Sequence, residues 1–190
     1  MMEVDWDWKL REAVERIKTA YAHIGRSSGA PILAVVYPPD QEIAVLKEWH
    51  ALAASLGKSF DVRTIDALEV TARAVEEFGV EAVVANLADP MPGSDANAEL
   101  GRHWVRAMAT RIHELVGPGS DDRLPLVVIE RLAALYPVTG PRAVMQAVWD
   151  TEHASLDTVV VFLIPGTLLQ PRVYKFVDRT EEFMYRGDIL

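Results

Sequence analysis

Apolar residues recur along residues 5–24 at three- and four-residue spacing: Trp6, Leu10, Val14, Ile17, Tyr21 and Ile24. A period of about 3.6 residues places them on one stripe, so the pattern predicts an amphipathic helix. Trp8 falls off that stripe, which leaves two readings: an interface anchor or a tertiary contact. GRSSG at 25–29 stops the helix. ILAVVY, Ile32 to Tyr37, is a short β-branched run and reads as a buried strand. Pro38-Pro39 ends it, and Asp40 is placed to cap the next helix. That helix, about 41–56, directs Leu46, Trp49, Ala53 and Leu56 inward and stops at Gly57. Phe60 to Ile65 alternates as a second strand, and Ala67 to Phe78 forms a helix stopped by Gly79.

The following stretch is ambiguous. VEAVVANL, from Val80, suits strand or helix, and ADPMPGSDAN after it is a loop. A helix over 98–116 would bury Trp104, Met108, Ile112 and Leu115, and GPGSDD at 117–122 is a turn. Leu126 to Ile129 is a third strand, Arg131 to Tyr136 a short helix ended by Pro137, and 141–149 a further helix. Val159 to Ile164 is six apolar residues in a row, a fully buried strand that should stop at Pro165-Gly166-Thr167. Val173 to Val177 alternates beside Pro171 and reads as an edge strand. Strands alternating with helices predict an α/β fold of three layers, a mostly parallel sheet with helices on both faces. The expected architecture is one domain, 1–190, with the helix and loop of 1–30 packed on it. It resembles a nucleotide-binding fold without a P-loop.

Composition narrows the chemistry. Half of the 190 residues are hydrophobic and a quarter charged, ordinary for a globular chain with a real core. With no cysteine there is no disulfide, cysteine-ligated metal or thiol nucleophile. No apolar run approaches the roughly 18 residues of a membrane span. The acidic, amphipathic N-terminus is no signal peptide, so a cytoplasmic location and no membrane partner are expected. The net charge of −9, from 19 basic and 28 acidic residues, makes direct nucleic-acid binding a poor prospect. It suits a basic protein partner better.

In open α/β sheets, ligands sit beyond the carboxyl ends of the strands. The residues there are Tyr37-Pro38-Pro39, Asp66, Glu130-Arg131 and Pro165-Gly166-Thr167. Gly166 and Thr167 hint at a phosphate loop, yet there is one glycine, no following lysine, and a proline without an N–H. Glu42 lies four residues before Leu46, facing either the crevice or simply the helix N-terminal dipole. Arg131 has the chemistry to grip a carboxylate or phosphate, or to pin the C-terminal segment through Glu130, Glu181 or Glu182. Tyr185, Arg186 and Asp188 divide similarly between fastening the tail and contacting a partner. Asp95, Glu99 and His103 mimic a metal stripe, but the apolar side of their helix puts Asp95 and Glu99 on a solvated, salt-bridged face. There is no helical zinc pair of histidines and no GxSxG elbow. No catalytic residue, cofactor or metal is assigned.

Three segments, ILAVVYPPDQE from Ile32, LVVIERLAALYPVTGP from Leu126, and Val159 to Leu190 with its PGT and EFMYRGDIL, resemble the BrxB family. That family is a small component of bacterial BREX phage-defence systems. The resemblance spans about 30–190 and implies a non-catalytic adaptor associated with other BREX proteins, above all the alkaline-phosphatase-like PglZ. It supplies no catalytic residues. The alternative is a nucleotide- or phosphate-binding sensor or enzyme on the same sheet, using Glu42, Arg131 and the Pro165–Thr167 turn. Oligomeric state is left open.

Overall fold

Alternating side chains on the first strand divide the molecule into layers. In a computed structural model describing residues 6–25, 29–152, 156–184 and 187–190, β1 (Ile32–Tyr37) is buried along its whole length. Ile32, Ala34 and Val36 enter one hydrophobic cluster, and Leu33, Val35 and Tyr37 enter the other. That two-residue period is what a strand covered on both faces requires. β1 belongs to a seven-stranded sheet with β2 (Phe60–Asp66), β3 (Leu124–Glu130), β4 (Val159–Gln170), β5 (Val173–Phe176), β6 (Arg179–Glu182) and β7 (Asp188–Ile189). The order β2-β3-β4-β1-β7 is parallel throughout. α1 (Trp6–Ala20) and α2 (Glu42–Ala54) cover one face, through Leu10, Ile17, Val45 and Trp49. α3 (Ala67–Phe78), α5 (Ala96–Leu115) and α6 (Pro141–Glu152) cover the other, through Met108, Ile112, Val144 and Met145. The fold is α/β in three layers, as the alternation of elements predicts.

The ambiguous segment is a helix, α4 (Val80–Ala88), and it contributes no buried residue. Gly79, at φ 90°, breaks α3 from α4. Asp66 caps α3 by accepting from the Leu68 and Glu69 amides at 2.9 and 3.4 Å. Asp95 caps α5 by accepting from the Ala98 amide at 2.9 Å, so its role is local rather than part of a salt-bridged face. No described helix is long and apolar enough to cross a membrane.

The region after Ile164 departs from expectation. Pro165-Gly166-Thr167 does not end the strand: β4 is 12 residues long and runs on to Gln170. Pro165 still lies in register with Tyr37, and from Gly166 onward β4 pairs antiparallel with β5, Gly166 facing Phe176. Glycine is needed because a Cβ there would lie 2.4 Å from the Lys175 carbonyl oxygen. Nor is β5 an edge, since β6 pairs along its other side. β7 closes the far edge of the sheet beside β1. The Leu190 amide donates to Ala34 at 2.9 Å, and the Val36 amide donates to the Leu190 carbonyl at 3.0 Å.

Candidate functional site

Three parallel strands end with polar residues, β2 beside β3 and β1 across β4 from them, and the segments that follow form the walls of a crevice. β1 ends at Tyr37, and Pro38 to Gln41 lead into α2. β2 ends at Asp66. β3 ends at Glu130, after which Arg131 takes a left-handed conformation, φ 57°, and a 3-10 turn spans Leu132–Leu135. Between them lies a cavity of about 470 Å³ lined by Glu42, Ile43, His50, Leu68, Glu130 and Arg131 among others.

Its ionisable groups are paired with one another. The buried Tyr37 hydroxyl donates to Glu42 Oε1 at 3.1 Å. His50 Nε2 meets Glu130 Oε2 at 2.8 Å, and Glu130 is only 9% exposed. Arg131 Nη1 lies 3.1 Å from Asp66 Oδ2, on the carboxylate that also caps α3. Burial, then the charges of Glu42 and Glu130, push the Tyr37 phenol well above its ordinary value. The phenol therefore stays neutral and donates a hydrogen bond to Glu42.

The entrance is poorly suited to phosphate. The loop between β1 and α2 holds Pro38 and Pro39, which have no N–H, and the first turn of α2 presents Glu42. Beyond the paired groups the crevice offers apolar surface: Ile43 is 87% exposed and Leu68 50% exposed, and both line it.

The structure brings Tyr37, Glu42 and Arg131 together here, as their positions after the strands suggest. Arg131 does not pin the C-terminal segment. Its left-handed backbone accompanies a side chain paired with Asp66 on the neighbouring strand end. Pinning falls instead to Glu181, which accepts from Tyr174 OH at 2.7 Å and from the Arg142 amide, at the start of α6, at 3.2 Å. Gly166 is buried in the β4–β5 ladder and Thr167 is exposed beside it, and neither lines the crevice. Asp188 sits in β7 and accepts from the Gly25 amide at 3.3 Å, a fastening contact. Tyr185 and Arg186 lie outside the described residues. Trp8 is 56% exposed on α1, off the buried stripe.

Sequence reasoning gives His50 no role, and places Glu130 after its strand only as a partner for Arg131, whereas here it pairs with His50. The signal for His50 is its spacing: Glu42, Leu46 and His50 recur every four residues, and all three line one wall. Glu99 is half-buried, with the Asn86 amide reaching it at 3.5 Å. Among the described residues no group of three or more His, Asp or Glu is placed to hold a metal ion.

No family model matches the chain, and a search of curated proteins gives no match. Among solved structures it is similar to a chain in "Structure of Drosophila ORC bound to DNA", at 13% identity and a TM-score of 0.39. The match covers 83% of this chain but only 37% of that one. A likeness at that level says nothing about what this chain binds.

Proposed function

We propose that the chain is a non-catalytic adaptor of a BREX-type antiphage defence system, binding another defence protein, with PglZ the first partner to test. The observation that carries this reading is the crevice at the carboxyl edge of the sheet. Its charged groups are matched within the chain by Tyr37–Glu42, His50–Glu130 and Arg131–Asp66. Beside these pairs it presents an exposed apolar pair, Ile43 and Leu68. An exposed apolar pair beside a walled cavity suits an anchoring side chain from a partner, the usual centre of a protein interface. The segments that resemble BrxB include the loop after β1 and the end of β3, which build this crevice, and so support the partner class.

The test is a binding measurement with purified BREX proteins. A complex with PglZ at micromolar concentration is expected, weakened at least tenfold by Ile43→Glu and by Leu68→Glu. Both side chains are exposed, so the variants should stay folded. Absence of a complex with any BREX protein at that concentration sinks the adaptor reading.

A further inference from the structure

On the opposite face from α2, α4 shows a pattern that the crevice does not explain. It is largely apolar yet buries no residue. Val80, Val84 and Leu87 are 52%, 58% and 40% exposed, and Met91, in the turn that follows, is 70% exposed. Within the helix the spacing of four and three, Val80 to Val84 to Leu87, puts these side chains on one face. Val83 and Asn86, partly buried, face back toward α5 instead. Beside the stripe lies a groove of about 250 Å³ with Phe78, Leu87, Leu100 and Trp104 in its walls. Trp104 Nε1 is buried there with no hydrogen-bond partner among the described residues. Exposed apolar surface this ordered marks an interaction site.

Charge decides the occupant. α4 carries Glu81 and ends at Asp89, Glu99 stands in the groove wall, and neither the helix nor the groove lining contains a lysine or arginine. A symmetric pairing of α4 with α4 of a second copy would set those carboxylates against each other. An anionic bilayer would meet the same repulsion. We infer that α4 and the adjoining groove dock a basic amphipathic helix of another protein, an apolar stripe flanked by lysine or arginine. α4 is nine residues long, about 13 Å, so it matches about two to three turns of such a helix. This surface stands apart from the crevice, and the inference holds whether or not the crevice binds PglZ.

The probe is a labelled 18-residue amphipathic peptide with a leucine stripe and lysine flanks, titrated with the full chain by fluorescence anisotropy. Binding in the micromolar range is expected. A peptide with glutamate flanks, and a lysine peptide of the same composition with its stripe scrambled, should each bind at least tenfold more weakly. Val84→Lys with Leu87→Lys should remove binding, while Ile43→Glu leaves it unchanged. Glu81→Lys with Asp89→Lys keeps the apolar stripe and should shift preference toward the glutamate-flanked peptide, which guards against a misfolded first variant. Equal binding of the scrambled peptide, or no loss in the Val84/Leu87 variant, overturns the inference. So does a dimer in light scattering that the same variant dissolves, since the occupant is then a second copy.

Discussion

Tyr37 and Tyr174 are both buried phenols that donate to a carboxylate, Glu42 in one case and Glu181 in the other. Burial first, then the neighbouring carboxylate, pushes both well above the ordinary tyrosine range. An unfolded tyrosine ionises near pH 10. The native state therefore keeps protons that the unfolded state releases above that pH. The stability these groups contribute is fully present below about pH 10 and falls as pH rises beyond it, by about 1.4 kcal/mol per pH unit for each group. Urea midpoints at pH 8 and pH 11 should show the loss, and Tyr37→Phe or Tyr174→Phe should each make the alkaline decline shallower. A pH-independent midpoint would contradict the assignment. Gly166 is a second residue whose worth is local. A methyl group at 166 must displace the Lys175 carbonyl of the paired strand. Gly166→Ala should cost roughly 1–3 kcal/mol by urea denaturation, whereas Gly57→Ala, where the nearest atom is 3.6 Å away, should cost far less.

At the level of elements, β7 is the shortest strand and holds the edge of β1. Leu190 is 7% exposed and exchanges backbone hydrogen bonds with Ala34 and Val36. Leu190→Ala should lose about 2 kcal/mol through the emptied packing volume, and hydrogen exchange at the Val36 amide should quicken more than at Val127 in the sheet centre. Equal quickening at both would mean that β7 is not a local clasp. The elements legible in the sequence were those whose burial imposes a period. ILAVVY, VVVFLI and the helix stripes announce themselves because one or two faces must be apolar. Those that were not legible are held by the backbone or by single contacts. RTEE forms β6 with no apolar run, because its place is set by the ladder to β5. PGT sits inside a strand, although both residue types ordinarily stop one, because β4 changes partner there from β1 to β5. The crevice was half legible. Tyr37, Glu42 and Arg131 follow from their positions after strands. The pairing of Arg131 with Asp66 follows from β2 lying beside β3, and that of His50 with Glu130 from α2 packing over the strand ends. Neither neighbour relation is written in a single sequence.

At the scale of the whole molecule, the fold and its charge pull in opposite directions. A parallel sheet covered on both faces, with a crevice beyond its carboxyl ends, is the architecture in which nucleotides are commonly bound. Here Pro38 and Pro39 remove two backbone amides from the loop after β1, Glu42 and Glu130 line the same cavity, and the chain carries a net charge of −9. A polyphosphate entering it would exchange full hydration for two carboxylates and for an Arg131 and a His50 already paired with Asp66 and Glu130. The expectation is that ATP, GTP and NAD, each at millimolar concentration with magnesium, leave the melting temperature within about 1 °C of the free chain. The measurement has ample range to contradict this. A ligand present at 100 times its Kd stabilises a fold by about 2.7 kcal/mol. For a chain of this size each kcal/mol moves the midpoint by about 2–4 °C. A true nucleotide site of 10 μM affinity would therefore appear as a shift of roughly 5–10 °C. A shift of that size that Ile43→Glu leaves intact and Glu42→Ala alters would place a small ligand at the strand ends, and the adaptor reading would give way to a nucleotide sensor.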